Sequence, residues 1–508
     1  MLALFDAGPP PPCPDPFNLA DYVLSAGALT PEKIALQILT ATGAERWSYA
    51  RLTAAVRGTA TGLLRLGLTP GDRVLMRLGN GVDFPVLFLG AIAAGLVPVP
   101  TSAQLTAPEV TTLAAAVAPK LIVAGDGIAL PQAPDCPVLP ATTLVAWHRL
   151  PPSEIAFGDP DRPAYIVFTS GSSGTPRAVL HAHRAVWARR MMWQGWYGLT
   201  ATDRLLHAGA FNWTYTLGTG LMDPWAAGAT ALIPAAGVSP SQLPLLLRRR
   251  VATLFAAAPG IYRQMLKGVG QLALPKLRHG LSAGEKMPEV TRARWRAATG
   301  IPVHEALGMS ECSTFVSAAP DRPAPSGAIG YPQLGRRVAV LGNDGLPVMR
   351  GEAGTLAVSR RDPGLFLGYL GAEMETAARF RGEWFLTGDT VRMAEDGAIT
   401  YLGRDDDMMN AGGYRVSPLE VEAAIAANPH VEDCAAVELR VKADASIIGC
   451  FFTGTASPAE LAEFAAGRLA DYKCPRLYER RDALPRGANG KLLRQTLRED
   501  YEARHDTA

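Results

Sequence analysis

Short apolar runs alternate with longer segments of helical period over the first two thirds of the chain. RVLMRL at 73–78 reads as a strand, Val82–Gly95 as a buried helix, and KLIVA at 120–124 as a further strand. Between residues 203 and 300 the alternation returns in LLHAGAF, ATALIPA and ATLFAAAPGIY. Such alternation implies βαβ units and mainly parallel sheets. From about residue 325 the texture changes to short strands with Gly-rich turns, GAIGYPQLGRRVAVLGNDG, AGTLAVS and GAITYLGR. After Arg404 a polar patch, DDDMMNAGGYR, precedes SPLEVEAAIAANP. There Ser417 is placed to cap a helix, with Pro418 at its first position and Glu420 three residues beyond the cap. The expected fold class is α/β. It comprises a large N-terminal domain (1–403) of two α/β subdomains plus a small β-rich subdomain, and a small mobile α+β C-terminal domain (404–508).

The 508 residues exceed what one compact core organises. With 48% hydrophobic and 19% charged residues the chain is globular. Lys+Arg 49 against Asp+Glu 47 leaves +2, which argues against nucleic acid or an anionic membrane as a charge-driven partner. The apolar run Val86–Val97 falls short of the roughly 20 residues a membrane span needs. The start, MLALFDAGPPPPCP, has neither a cationic region nor a sustained apolar stretch, so a secretory leader is not expected. The six cysteines are scattered without metal spacing, as suits reduced thiols in a cytoplasmic protein. Nothing in the pattern sets an oligomeric state.

The candidate chemistry starts at FTSGSSGTPRAVLHAH, residues 168–183. Tyr165, Ile166, Val167 and Phe168 predict a buried strand that runs into Thr169, Ser170, Gly171, Ser172, Ser173, Gly174 and Thr175. A loop of Gly, Ser and Thr turns backbone N–H groups and hydroxyls towards one point, which suits a polyphosphate. Arg177 adds a permanent planar cation. The loop is not a Walker loop, because no G-x-x-x-x-G-K-[ST] is present.

Five further motifs follow in order: SAGEKMP (282–288), EALGMSE (305–311), WFLTGDT (384–390), GRDDDMMNAGGYRVSPLEVE (403–422) and LPRGANGK (484–491). Together with the loop they resemble the acyl-adenylate-forming (AMP-forming) superfamily, of acyl-CoA synthetase and benzoate- or medium-chain-acid-CoA ligase type. The resemblance runs from about residue 30 to 495. It implies an ATP-dependent ligase that joins a carboxylic acid to AMP with release of pyrophosphate and then passes the acyl group to the thiol of coenzyme A. ATP, Mg²⁺ and coenzyme A are the implied cofactors. In-line attack on a phosphate calls on positioning and charge stabilisation more than on covalent side-chain chemistry.

The resemblance also implies residue roles. Thr169 to Thr175 and Arg177 would hold the β- and γ-phosphates, and Glu311 would bind Mg²⁺, beside Ser310. Gly284, Glu285 and Lys286 would line the adenine edge, Asp389 would accept from the ribose hydroxyls, and Arg404 and Arg415 would reach ribose or phosphate. Lys491 would bridge the substrate carboxylate and the phosphate oxygens as the catalytic cation. Asp406 falls at the hinge, and Gly412 and Gly413 at the path of the coenzyme A arm. Arg177 stands where relatives usually have Lys, Ala178 where they have Gly, and Leu307 where an aromatic usually stacks on adenine.

The stretch AFNWTYTLGTGLMDPWAAGAT should line the acyl pocket. Phe211, Asn212, Trp213, Tyr215, Gly308 and Met309 are its expected walls. Asn212 stands where amino-acid adenylation domains carry an Asp, so an ammonium substrate is disfavoured. Gly308 stands where acetate-specific relatives close the pocket with Trp, which suits an acid larger than acetate. The expected substrate is therefore an aromatic or short-to-medium-chain monocarboxylic acid. The main alternative is an acyl-AMP ligase that loads a carrier protein. His181 and His183 are expected to be structural or pocket-forming, because an attacking carboxylate needs no base.

Overall fold

The computed structural model describes residues 1–169, 176–405, 407–411, 414–442, 445–469, 471–487 and 490–505. Its centre is a nine-stranded sheet. Strands Ile34–Leu39, Thr230–Pro234, Arg204–His207, Leu254–Ala257, His279–Ser282 and Val303–Met309 run parallel and side by side. Antiparallel strands Ala44–Ser48, Ser313–Ser317 and Tyr331–Pro332 complete its two edges. A second parallel sheet holds Val97–Pro100, Arg73–Arg77, Leu121–Ala124 and Val138–Pro140. These strands carry near-continuous apolar runs because helices cover them, among them Asp83–Ala93, where ten of eleven residues are buried.

The β-rich region forms a six-stranded sheet containing Arg337–Leu341, Ala353–Ser359, Trp384–Met393 and Ile399–Arg404. Its edge is the chain's first strand, Leu4–Asp6, antiparallel to Arg337–Leu341. Three residues are too few to show a period-2 pattern, so this pairing has no local signature. The last part of the chain folds as α+β. Strands Val431–Lys442, Ala445–Gly454 and Leu477–Arg480 pack with helices Pro418–Ala426, Pro458–Ala466 and Arg494–His505. Ser417 caps its helix as expected, its hydroxyl accepting from the Glu420 N–H at 3.4 Å.

The hydrophobic clusters divide between Ile399 and Met409. The largest reaches from Ala3 to Ile399, and those of the last part begin at Met409. Strand Ile399–Arg404 pairs with Trp384–Met393, setting Arg404 opposite Asp389. Arg404 thus lies within the six-stranded sheet. Among the described residues no helix is long and apolar enough to cross a membrane.

Burial lowers the pKa of His181 and His279 to about 4, and of His183, His207 and His304 to about 3. Each lies below the ordinary 6.5, so folding favours the neutral ring. The stability these rings contribute is fully present above about pH 6.5 and is lost as pH falls from there towards 4. Unfolding free energies from urea titrations should accordingly drop between about pH 6.5 and 5.5, by about 1 kcal/mol per titrating ring. A flat profile would show that these rings are protonated equally in both states.

Candidate active site

One cavity of about 1330 Å³ collects the motifs. Thr169, Arg177, Gly284, Glu285, Lys286, Ser310, Glu311, Asp389, Arg404 and Lys491 all line it. They come from strand ends and turns of the large unit and from one loop of the C-terminal unit. Ser170, Gly171, Ser172, Ser173, Gly174, Thr175, Asp406, Gly412 and Gly413 lie outside the described residues, as does the side chain of Arg415.

The Gly/Ser loop joins two antiparallel strands, Pro163–Thr169 and Arg177–Ala182, with Thr169 opposite Arg177. Arg177 is turned to Glu375, with Nε 2.7 Å from Oε2, and its guanidinium lies 5.2 Å from the Tyr369 ring centre. Tyr369 pairs with Val179 in the same sheet and donates its hydroxyl to Glu311 Oε1 at 2.6 Å. Arg177, Tyr369 and Glu311 therefore form one contiguous group. Tyr369 was not legible from local pattern, because its partner lies 58 residues away.

Glu311 is 7% exposed and sits on the turn between strands Val303–Met309 and Ser313–Ser317. That turn is held from below. Ser313 adopts a left-handed φ of 62°, and Arg189 donates to its hydroxyl. Arg189 also grips Asp223 through Nε at 2.8 Å and Nη2 at 2.6 Å, and Tyr197 donates to the same carboxylate at 2.7 Å. His181 Nε2 lies 2.7 Å from the Ser310 carbonyl, which a neutral ring reaches by donating. His183 Nδ1 instead accepts from the Leu19 N–H at 3.0 Å, within the core.

Asp389 is buried, and burial raises its pKa, while the nearby cations Arg404 and Lys491 oppose that shift. Arg404 Nη1 lies 3.4 Å and the Tyr401 hydroxyl 3.5 Å from its Oδ1. Lys491 stands on a tight loop. Its carbonyl accepts from the Gly487 N–H at 2.8 Å, and Arg486 pairs with Leu492 across the loop. Lys286 is fixed by the buried Glu305, whose Oε2 lies 3.2 Å from Nζ.

Trp213, Tyr215, Gly308 and Met309 line the cavity as expected, but Phe211 and Asn212 do not. Phe211 is a core side chain, packed 5.0 Å from Phe84 between ring centres. Asn212 is half-buried away from the lining, so its neutrality does not decide between amino acids and other acids. Asp223 is close to the cavity but is already paired with Arg189. The reading of Gly308 also changes. A Cβ there would lie 2.3 Å from the Ser313 carbonyl oxygen, so the bulged hairpin itself requires glycine. Gly284 combines a φ of +97° with a would-be Cβ only 2.7 Å from Trp213. Gly284→Ala should leave the fold intact and raise KM for the acid about tenfold, as Trp213 is displaced. Steady-state kinetics with a melting curve will check this, and an unchanged KM would dissociate Trp213 from acid binding.

A profile of the AMP-binding enzyme family matches residues 25–370, and that of the AMP-binding enzyme C-terminal domain matches 420–491. The chain belongs to the AMP-binding enzyme family. It is 31% identical to a benzoate–CoA ligase of Thauera aromatica, over 94% of this chain and 92% of that one. It is 30% identical to a 4-hydroxybenzoate–CoA/benzoate–CoA ligase of Rhodopseudomonas palustris, over 89% and 88% of the two chains. Among solved structures, a benzoate CoA ligase from Burkholderia xenovorans superposes on this AMP-binding enzyme with a TM-score of 0.84. Sequence identity is 26%, covering 95% of this chain and 100% of the other.

Proposed function

We propose that this AMP-binding enzyme is an acid–CoA ligase. It joins a monocarboxylic acid larger than acetate to the α-phosphate of ATP, releases pyrophosphate, and transfers the acyl group to the thiol of coenzyme A. The observation that carries this reading is the meeting of Lys491, from the C-terminal unit, with Arg177, Glu311 and Asp389 in one cavity. The similarity to benzoate–CoA ligases supports the same substrate class.

In the first step the carboxylate is the nucleophile and is already ionised at neutral pH. Lys491 positions it and offsets negative charge at the phosphorus. Asp389 and Tyr401 hold the ribose end, and the turn at Gly284, Glu285 and Lys286 faces the base. Arg177, beside the Gly/Ser loop, orients the departing pyrophosphate. Among the described residues no cluster of three or more metal-ligating side chains exists. A lone buried Glu311 fits Mg²⁺, which binds through one or two carboxylates together with substrate phosphates. Bound there, the ion would neutralise phosphate charge.

Trp213, Tyr215 and Met309 supply an apolar wall for the acyl group. At its floor the Arg189 guanidinium is neutralised by Asp223, so a second carboxylate on the substrate finds no unpaired cation there. This favours a monocarboxylic aromatic or medium-chain acid. The test is pyrophosphate release over a panel of carboxylic acids, with and without coenzyme A. Turnover of benzoate-like acids that depends on ATP and coenzyme A is expected. Turnover with no acid on the panel would sink the proposal, and turnover unaffected by coenzyme A would remove its second step.

A further inference from the structure

Four charged side chains meet where the two units face each other across the cavity. Arg263, at the end of helix Pro259–Met265, and Glu285, in the SAGEKMP turn, belong to the large unit. Asp433, on strand Val431–Lys442, and Arg486, at the base of the Lys491 loop, belong to the C-terminal unit. Two ion pairs cross between the units: Arg263 Nη1 to Asp433 Oδ2 at 3.3 Å, and Arg486 Nη1 to Glu285 Oε2 at 3.8 Å. Within the C-terminal unit Arg486 Nη2 donates to Asp433 Oδ2 at 2.8 Å. Each unit thus offers one acid and one base, and the signs alternate around the group. The four side chains are 21–32% exposed, so their attraction is only partly screened by water.

The group leads directly to the catalytic lysine. Arg486 Nη1 also donates to the Gly490 carbonyl at 2.7 Å, one residue before Lys491. The Gly487 N–H and the Lys491 carbonyl close the loop at 2.8 Å. One guanidinium therefore shapes the loop that bears Lys491 and ties it to the turn that carries Gly284 and Glu285. Burial raises the pKa of Glu285, and Arg486 and Arg263 oppose that rise.

We infer that the cluster of Arg263, Asp433, Arg486 and Glu285 is the contact that docks the C-terminal unit for adenylate formation, with Arg486 as the positioning residue for Lys491. The inference rests on the two-step reading above. Any rotation that withdraws Lys491 from the cavity separates both cross-unit pairs at once. Weakening the pairs thus disfavours the adenylating arrangement without touching the reacting atoms. Arg263 decides the matter, because it holds no contact with the Lys491 loop in its own ion pair and reaches that loop through Asp433, Glu285 and Arg486.

The test measures the two half-reactions separately in Arg263→Gln, Asp433→Asn and the double variant. Pyrophosphate exchange reports the first. Thioester formation from supplied benzoyl-AMP and coenzyme A reports the second. Exchange should fall roughly fivefold to tenfold in each single variant, and the double variant should be no slower than the worse single one. Thioester formation should stay at or above the wild-type rate. Equal losses in both half-reactions, additive losses in the double variant, or unchanged exchange would each overturn the inference. Arg263→Gln alters a partly exposed side chain, so a readable variant remains even if Asp433→Asn fails to fold. Absence of exchange in the wild-type enzyme would instead refute the ligase reading itself.

Discussion

Lys491→Ala is expected to abolish most adenylate formation while sparing thioester formation from a supplied acyl-adenylate. The lysine comes from the C-terminal LPRGANGK motif and joins Asp389 in the cavity lining. Its charge acts on the phosphate oxygens as negative charge grows there. Removing one such preorganised donor costs about 2.7–4 kcal/mol, or roughly 10²–10³ in rate. The second half-reaction starts from acyl-AMP, where that charge has already left with pyrophosphate, so the loss does not carry over. Lys491→Arg should restore little, because a planar guanidinium does not fit a place shaped for a compact ammonium. Pyrophosphate exchange and single-turnover thioester formation decide it. Exchange at the wild-type rate in Lys491→Ala would remove the lysine from the mechanism.

Local pattern carried much of the fold. The buried helix read at Val82–Gly95 is Asp83–Ala93, the strand read at 73–78 is Arg73–Arg77, and Ser417 caps the helix that starts at Pro418. These features depend on periodicity and capping within a few residues. The site was legible where a motif brings its own residues to a turn, as with Gly284 and Glu311. It was not legible where distant segments meet. Tyr369 reaches Glu311, Arg189 pairs with Asp223, and Arg263 faces Asp433 across the unit border. Each contact depends on how layers stack, which periodicity does not encode. Phe211 shows the converse error. An aromatic in a pocket-forming segment alternates between cavity and core, and its neighbour Phe84 draws it into the core.

Glu311→Gln is expected to have the second largest effect, a loss of about a hundredfold in adenylate formation, accompanied by a rise in the Mg²⁺ concentration needed for half-maximal rate. The substitution keeps shape and removes one negative charge from a side chain 7% exposed. Tyr369 supplies the control. Its hydroxyl donates to Glu311 Oε1 at 2.6 Å, which fixes the carboxylate at the cavity lining. Tyr369→Phe removes that hydrogen bond but keeps the charge, so it should cost only about tenfold, with a smaller change in Mg²⁺ dependence. If the carboxylate were merely structural, both variants would lower thermal stability and leave the Mg²⁺ profile unmoved. If it holds the ion, the Mg²⁺ profile moves in Glu311→Gln, and raising Mg²⁺ recovers part of the rate. The ordering of the two variants matters as much as their size, because only charge at Glu311, not the hydrogen bond it accepts, attracts a divalent cation.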